Sequence, residues 1–331
     1  MQINQQSRRR FLRKAIAAAA LCGFAGALAA QPAGQPTVTL RIAYLKGTSD
    51  LTLAKAKGSL DKALAAQGVK VVWAGPFPAA APAFEALNAN AVDLTSGSST
   101  SFVTSIAAGV PMSIFAYQPM TASNESIVVP NNSPIKTLAD LKGKSVAVNK
   151  GGTGEYLLVR GLQHGGIAPD SVAIRYLSPS DTGSAFVGGG VDAWATWDPF
   201  LSIALKRYDA RVLADGKQIG SENAVGYFVR QDYLSAHPKV VDTVFDILRR
   251  ENVWTAQHPK EAGLLWAREL QLPEDFAAIL GANNVSPLRV LQPDDIERIG
   301  HIAQWYRDNK LIPVVPNVNA HVAKLTLAPV Q

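Results

Sequence analysis

Cysteine is nearly absent from this 331-residue chain, and the single copy, Cys22, lies in an alanine-rich stretch near the N-terminus. If that stretch is removed, no thiol remains to form a disulfide, a covalent nucleophile or a metal ligand. The five histidines show neither H-x-H nor H-E-x-x-H spacing, so the common zinc patterns are missing as well. We therefore expect no catalytic residue, no metal and no cofactor, and we do not expect an enzyme.

A long membrane-spanning run is also missing near the N-terminus, because the apolar run 15–28 is shorter than the roughly 20 residues of a transmembrane helix. This run follows the basic sequence SRRRFLRK (7–14) and ends in the small-residue pattern Ala27-Leu28-Ala29. Together these features predict a signal peptide over 1–29 and export to the periplasm. The twin arginines favour the twin-arginine route, with the general secretory route as the alternative.

The excess of positive charge is confined to the same segment. Five of the 32 basic residues and none of the 26 acidic residues lie in 1–29, so 27 basic residues face 26 acidic ones in the remainder. The formal net charge of +6 then falls to about +1. This balance gives no support to a nucleic-acid or membrane-surface partner.

The remaining chain alternates between strand-like and helix-like segments, without repeats or low-complexity tracts. Such alternation predicts an α/β fold with largely parallel sheets covered by helices on both faces. Beyond Pro238 the pattern is almost entirely helical. The predicted strands are 37–45, 69–75, 111–118, 125–130, 144–149 and 172–177, and the predicted helices between them are 51–68, 82–93, 137–143 and 154–166.

Blocks along nearly the whole remaining chain carry a family resemblance. The most specific are LADLKGKSVAVNKG (138–151) and VDAWATWDPF (191–200), supported by LRIAYLKGTS (40–49) and ARVLADG (210–216). In these blocks the chain resembles the periplasmic binding proteins of aliphatic-sulfonate, taurine and nitrate uptake systems, and above all the aliphatic sulfonate-binding proteins. The resemblance implies a two-lobed periplasmic binding protein of type II, with two Rossmann-like lobes and two hinge crossings.

The same resemblance implies a domain arrangement and a role. Crossings near 118–126 and 220–226 would divide the chain into a discontinuous lobe one, 37–121 with 226–331, and a lobe two, 122–225. The protein would be the monomeric solute-binding subunit of an ABC importer, delivering an aliphatic sulfonate to an inner-membrane permease. A sulfate ester, taurine or an aryl sulfonate are alternative ligands.

An enzyme on the same fold is the rival class. The resemblance brings with it a desulfinase and a thiamine-pyrimidine synthase of the same architecture, but both rely on a cysteine in the site. Without Cys22 this chain has none, and its sequence offers no nucleophile–base pair.

The first candidate binding segment is a glycine-rich loop that precedes a predicted helix. Three glycines can turn tightly and expose backbone N–H groups, and Thr153 can cap the helix. The first turn of a helix offers unpaired N–H groups to an anion. A plain strand-to-helix connection is the alternative. We expect the carboxylate of Glu155 to point towards solvent or towards an amine on the ligand. The candidate residues are Gly151, Gly152, Thr153, Gly154 and Glu155.

The second candidate segment is rich in hydroxyls. Ser98, Ser99 and Thr100 precede a predicted helix and offer neutral donors. A sulfonate carries no proton and needs donors only, so these residues suit its head group. A serine-rich helix cap is the alternative. Many members of the resembled family have Gly-Asp at this point, where this chain has Gly97-Ser98, and this departure leaves the exact ligand open.

Four further residues complete the predicted site. We expect Trp197 rather than Trp194 to face the cleft and to pack on the organic part of the ligand, although both could lie in the core. Lys46 in YLKGTS could supply a positive charge or be solvated. The remaining candidates are Gly47 beside Lys46, Asp198 beside Trp197, and Tyr227 near the second crossing.

Overall fold

The computed structural model describes residues 38–327, so the predicted signal peptide and Cys22 lie outside the described residues. Within that range, ten strands form two five-stranded sheets, which confirms the α/β prediction. The strands are β1 (Val38–Leu45), β2 (Val69–Phe77), β3 (Leu94–Ser98), β4 (Met112–Pro119), β5 (Glu125–Pro130), β6 (Ser145–Val148), β7 (Ala173–Tyr176), β8 (Ala193–Trp197), β9 (Ala210–Asp215) and β10 (Ala224–Arg230).

The two sheets share one unusual pattern of strand direction. Sheet one has the order β2-β1-β3-β10-β4 and sheet two the order β7-β6-β8-β5-β9. In sheet one, β10 runs antiparallel to both of its neighbours. In sheet two, β5 does the same. The other four strands of each sheet point the same way, as expected for sheets built from crossover connections.

Two short passages connect the sheets. The chain leaves sheet one at Pro119 and enters sheet two at Glu125, and it leaves β9 at Asp215 to return at Ala224. Both β5 and β10 are the first strands reached after a passage, which explains why these two strands are the reversed ones. The exact lobe boundaries proposed from the sequence stay a prediction.

Thirteen α-helices accompany the strands in the described range. The predicted helix 51–68 is in fact two helices, because Gly58 adopts the left-handed conformation (φ 65°) between them. The segment 137–143 forms only a short 3₁₀ turn, Leu138–Leu141. The helices are α1 (Asp50–Lys57), α2 (Ser59–Ala65), α3 (Ala80–Asn88), α4 (Ser99–Ala107), α5 (Thr153–His164), α6 (Pro179–Val187), α7 (Phe200–Arg207), α8 (Gly216–Ile219), α9 (Gln231–Ala236), α10 (Pro238–Gln257), α11 (Pro259–Glu269), α12 (Ala277–Asn283) and α13 (Pro293–Asp308).

Each sheet is buried on both faces. Phe102 and Phe228 stack at 5.0 Å on one face of sheet one, while Phe115 packs with α10 on the other. In sheet two, Leu157 of α5 covers one face, and on the other face Phe186 of α6 and Leu201 of α7 pack with Trp194 of β8. No helix among residues 38–327 is both long and apolar enough to cross a membrane. Most of the residues of the site described next lie at or just after the carboxyl ends of strands.

Candidate ligand-binding cleft

A cleft opens where elements of both sheets meet, and it encloses about 730 Å³ of space including its open mouth. Sheet one contributes the loops that follow β1, β2 and β3. Sheet two contributes the residues that follow β6 and β8, and the first passage contributes Met120 and Asn124. The lining residues are Leu45, Lys46, Gly47, Thr48, Ser49, Pro78, Ala79, Ala80, Ser96, Gly97, Ser98, Ser101, Met120, Asn124, Asn149, Thr153, Trp197, Asp198, Val225 and Asn284.

Helix N-termini surround this cleft. Ser49, Ala79 and Ser98 are the N-cap residues of α1, α3 and α4. Thr153 is the first residue of α5, and Asp198 stands just before α7. All five residues line the cleft. Because a helix N-terminus carries unpaired N–H groups and a partial positive charge, the cleft favours an anion.

The hydroxyl segment contributes Ser98 and Ser101 to the cleft. The Ser98 hydroxyl caps α4 by accepting from the Ser101 amide at 3.1 Å and donates to the Ser101 hydroxyl at 3.0 Å. Ser101, which the sequence analysis missed, therefore keeps its own hydroxyl proton for another acceptor. Ser98 also lies 2.8 Å from Thr100 Oγ1. The single hydroxyl proton of Ser98 is used on Ser101, so Ser98 caps α4 and orients Ser101, and Ser101 holds the proton that can be donated into the cleft.

Ser99 and Thr100 do not line the cleft, contrary to expectation. Both are completely buried. The Ser99 hydroxyl donates to Asn223 Oδ1 at 3.1 Å and accepts from the Ala224 amide at 3.0 Å, so it points into the second passage. Helical geometry explains the difference, since residues one apart on a helix face different directions.

The glycine-rich loop is arranged differently from the prediction. Only Thr153 lines the cleft, and it does not cap α5, whose N-cap is Gly152. The Gly151 amide donates to Glu155 Oε2 at 2.7 Å, and the Gly154 amide donates to Asn149 Oδ1 at 2.8 Å. Two of the N–H groups expected for an anion are therefore already used within the loop.

Glu155 was expected to point towards solvent or towards an amine on the ligand, but it faces neither solvent nor the cleft. It is buried, and besides the Gly151 amide it accepts a hydrogen bond from the hydroxyl of Tyr176 at 2.5 Å. The carboxylate folds back on the loop because the loop amide of Gly151 and the hydroxyl of Tyr176, at the end of β7, both donate to it. Glu155 thus shapes the loop rather than the cleft surface.

Close packing explains two of the glycines. A Cβ on Gly154 would lie 2.6 Å from the carbonyl oxygen of Ala195 in β8, and one on Gly152 would lie 2.7 Å from the hydroxyl of Ser101. Gly151 has a positive φ of 64°, which favours glycine. The loop therefore needs glycine mainly for tight contact between α5, sheet two and α4.

Trp197 and Asp198 line the cleft, whereas Trp194 is buried in the core of sheet two. Trp197 meets Phe200 edge-to-face at 5.9 Å. Asp198 Oδ1 accepts from the amide of Ser202 at 3.0 Å and from its hydroxyl at 2.6 Å, and Oδ2 accepts from Asn283. Burial raises the pKa of Asp198 to about 6, against these hydrogen bonds.

Tyr227 does not face the cleft. It is completely buried, and its hydroxyl lies 3.3 Å from Asp50 Oδ2 and 3.5 Å from Gln118 Oε1. Asp50 also accepts from Asn252 at 3.1 Å, and burial raises its pKa to about 8. Because Asp50 is the first residue of α1, Tyr227 supports the start of a helix whose N-cap, Ser49, does line the cleft.

The lining is nearly neutral. Among the described lining residues, Lys46 is the one cation and Asp198 the one carboxylate. Lys46 and Gly47 both border the cleft, and the side chain of Lys46 is exposed. The rest of the polar lining consists of hydroxyls and amides. Residues 38–327 contain no group of three or more histidine, cysteine or acidic side chains that could hold a metal ion.

Several lining residues were missed by the sequence analysis. Ser49 carries a recognisable signal, because it and Thr52 form a capping box. Asn149 is the last residue of the predicted strand 144–149, and ligand-binding residues of α/β sheets are common at the carboxyl ends of strands. Asn284 lies after α12, far along the chain from the other lining residues, and no sequence pattern connects it with them.

Comparison with known proteins bears on both fold and site. A family described as NMT1/THI5 like matches residues 51–262. A protein of Escherichia coli (strain K12) assigned as an aliphatic sulfonates-binding protein is 32% identical over 275 residues, covering 83% of this chain and 85% of the relative. The taurine-binding periplasmic protein of the same strain is 27% identical over 300 residues, covering 85% and 89%. The solved structure of the alkanesulfonate-binding protein SsuA from Xanthomonas axonopodis pv. citri, bound to MOPS, has a TM-score of 0.81 and 30% identity, covering 86% of this chain and 98% of that one.

Proposed function

Since this chain belongs to the NMT1/THI5-like family, together with aliphatic sulfonate-binding proteins, we propose that it captures an aliphatic sulfonate in the cleft. The observation that carries this proposal is the convergence of five helix N-termini on a nearly neutral cleft. Helix ends and hydroxyls donate hydrogen bonds without bringing a full positive charge. A sulfonate, which is singly charged and only accepts hydrogen bonds, matches such a site.

The head group is proposed to bind between α4 and α5. Ser98 and Ser101 lie at the start of α4, and Thr153 lies at the start of α5. Ser101 and Thr153 both accept hydrogen bonds and so keep their own hydroxyl protons for donation from two different sides of the cleft, while Ser98 orients Ser101. A head group with three oxygens can then accept from both sides. Lys46 adds the one cation of the described lining. Gly151, Gly152, Gly154 and Glu155 are proposed to act indirectly, by holding Thr153.

The tail of the ligand is proposed to pack on the apolar lining. Leu45, Pro78, Met120, Trp197 and Val225 supply that surface. Asp198 is a poor partner for the anionic end, because both of its oxygens already accept hydrogen bonds. It fits better beside the tail, next to Trp197.

The proposed cellular role is that of the solute-binding subunit of an ABC importer. Relatives named as binding proteins, one of them periplasmic, support this role. We expect the chain to be exported by the twin-arginine route, to act as a monomer in the periplasm and to deliver its ligand to an inner-membrane permease. We expect no turnover of the ligand.

Calorimetry with the purified mature protein tests the ligand class. Ethanesulfonate, taurine, ethyl sulfate, benzenesulfonate and ethyl phosphate are titrated separately. We expect ethanesulfonate to bind and ethyl phosphate to bind much more weakly, because a phosphate monoester carries a second charge or a proton near neutral pH. Tight binding of ethyl phosphate would contradict a donor-only site. Tighter binding of taurine, ethyl sulfate or benzenesulfonate would assign the ligand to that alternative. Release of sulfite or sulfate from the bound compound would contradict a pure binding role.

A further inference from the structure

Asn223 lies in the second passage between the sheets and is buried, although it is not among the residues that line the cleft. Its Oδ1 accepts from the Ser99 hydroxyl at 3.1 Å and from the Thr100 amide at 3.4 Å, both in the first turn of α4. Its Nδ2 donates to Thr153 Oγ1 at 3.1 Å, at the start of α5, and to Glu125 Oε2 at 3.0 Å. A single side-chain amide thus joins helix starts that belong to different sheets.

The orientation of this amide is fixed by its partners. The Thr100 amide can only donate, so it requires the oxygen of Asn223 on the α4 side. The carboxylate of Glu125, at the end of the first passage, requires a donor on the other side. Asn223 Nδ2 also lies 3.4 Å from the sulfur of Met120 in the first passage. The amide therefore links both passages as well as both helices.

These helix starts carry the hydroxyls assigned to the ligand head group. Ser101, oriented by the hydroxyl of Ser98, belongs to the start of α4, and Thr153 belongs to the start of α5. For one head group to accept hydrogen bonds from both helices, the two N-termini must stay at a fixed separation. A misplacement of even about 1 Å removes a hydrogen bond, because donor–acceptor distances beyond about 3.5 Å contribute little.

We propose that Asn223 is a positioning residue for ligand binding, which holds the starts of α4 and α5 at the separation that one sulfonate head group requires. This inference rests on the proposed function. It assigns a binding role to a side chain in the passage between the sheets, behind the cleft surface, and it makes Glu125 the partner that fixes the orientation of the amide.

The test exchanges donor and acceptor without changing shape. Asn223→Asp keeps the acceptor for α4 but replaces the donor by an oxygen that faces Glu125. We expect ethanesulfonate affinity to fall about ten-fold or more. Adding Glu125→Gln supplies a donor from the opposite side, so the double variant is expected to bind within about three-fold of the wild type.

Controls separate positioning from stability. Val241→Ala removes buried apolar atoms from α10, far from this network, and is expected to lower the melting temperature with unchanged affinity. Ser99→Ala removes one donor to Asn223, together with the side-chain acceptor of the Ala224 amide, without changing the cleft lining. We expect it to weaken binding about three-fold or more, and it provides the test if Asn223→Asp does not fold.

The outcomes are distinct. Wild-type affinity in folded Asn223→Asp or, should that variant not fold, in Ser99→Ala would overturn the proposal. The proposal would also be overturned if Asn223→Asp loses ethanesulfonate affinity and the double variant, although folded and as stable as the wild type, does not regain it. If the wild-type protein binds none of the sulfonates, the proposed function fails and this inference fails with it. If the wild type binds ethanesulfonate, only the role of Asn223 is being judged.

Discussion

The hydroxyl of Ser101 offers the sharpest single test of the head-group site. Ser101→Ala removes one oxygen from the cleft lining and changes nothing else in the covalent structure. The cap of α4 is retained, because Ser98 accepts from the backbone amide of residue 101, which the substitution keeps. Ser98 also keeps its contact with Thr100 Oγ1 at 2.8 Å. The variant should therefore fold with nearly the stability of the wild type.

The expected magnitude follows from the hydrogen bonds of Ser101. Its oxygen accepts from Ser98, so its own proton is free to be donated into the cleft. A hydrogen bond to a charged partner contributes about 1.5–3 kcal/mol. Losing it should weaken ethanesulfonate binding roughly ten- to 150-fold. The effect should appear mainly in the dissociation rate, as is usual for lost contacts in related complexes.

Calorimetry on wild type and variant at the same pH and salt concentration gives the answer. Ser235→Ala is the matched control, since this serine is exposed and bonds only to the carbonyl of Gln231 in α9. Melting temperatures of all three proteins show whether folding is affected. Unchanged affinity in Ser101→Ala would remove the start of α4 from the head-group site and refute the reasoning from donor geometry.

Three other predictions concern the tail, pH and closure. Trp197→Ala should weaken the binding free energy of long alkanesulfonates by about 1–3 kcal/mol, and that of ethanesulfonate by less, as measured by calorimetry. An equal loss for all chain lengths would contradict packing of Trp197 on the tail. Burial raises the pKa of Asp50 to about 8 and that of Asp198 to about 6, so the folded protein holds protons that the unfolded chain releases above about pH 4. The free energy of unfolding should therefore fall as pH rises from about 5 to about 8, and the melting temperature should fall with it. In Asp50→Asn the melting temperature should fall less over the same pH range. An equally steep fall in the variant would show that another group is responsible. Two sheets joined by two passages should close on the ligand, so small-angle scattering should show a smaller radius of gyration at saturating ethanesulfonate, and identical curves would count against closure.

The periodicity of the sequence predicted six of the ten strands in the described residues, and it did not predict β3, β8, β9 and β10. Strand boundaries such as 125–130 were predicted correctly because a short apolar run there is bounded by polar residues on one side and by Pro130 on the other. The helix predicted over 51–68 is interrupted because one glycine, Gly58, takes a left-handed conformation, and apolar spacing continues across it. The reversed direction of β5 and β10 could not be read from their own residues, since it depends on which sheet each strand enters.

The site was predicted by segment more reliably than by side chain. The segments around Ser98, Thr153 and Trp197 do reach the cleft. Tyr227 was misplaced because most of β10 is buried between two strands and two layers of helix, so position near a passage says little about which way a side chain points. Glu155 was misplaced because its partners, a backbone amide and Tyr176, are defined only once the loop has folded.

The position of β10 also dictates an order of folding. Every strand of sheet two comes from one continuous stretch, 125–215, so that sheet can form as soon as this stretch is available. Sheet one cannot form as early, because β10 lies between β3 and β4 in the sheet. In the sequence, all strands of sheet two separate β10 from β4. Contacts between segments so distant in sequence form slowly. Sheet two is therefore expected to gain protection from hydrogen exchange first during refolding, and the strand that completes sheet one brings Asn223 and the second passage into place last.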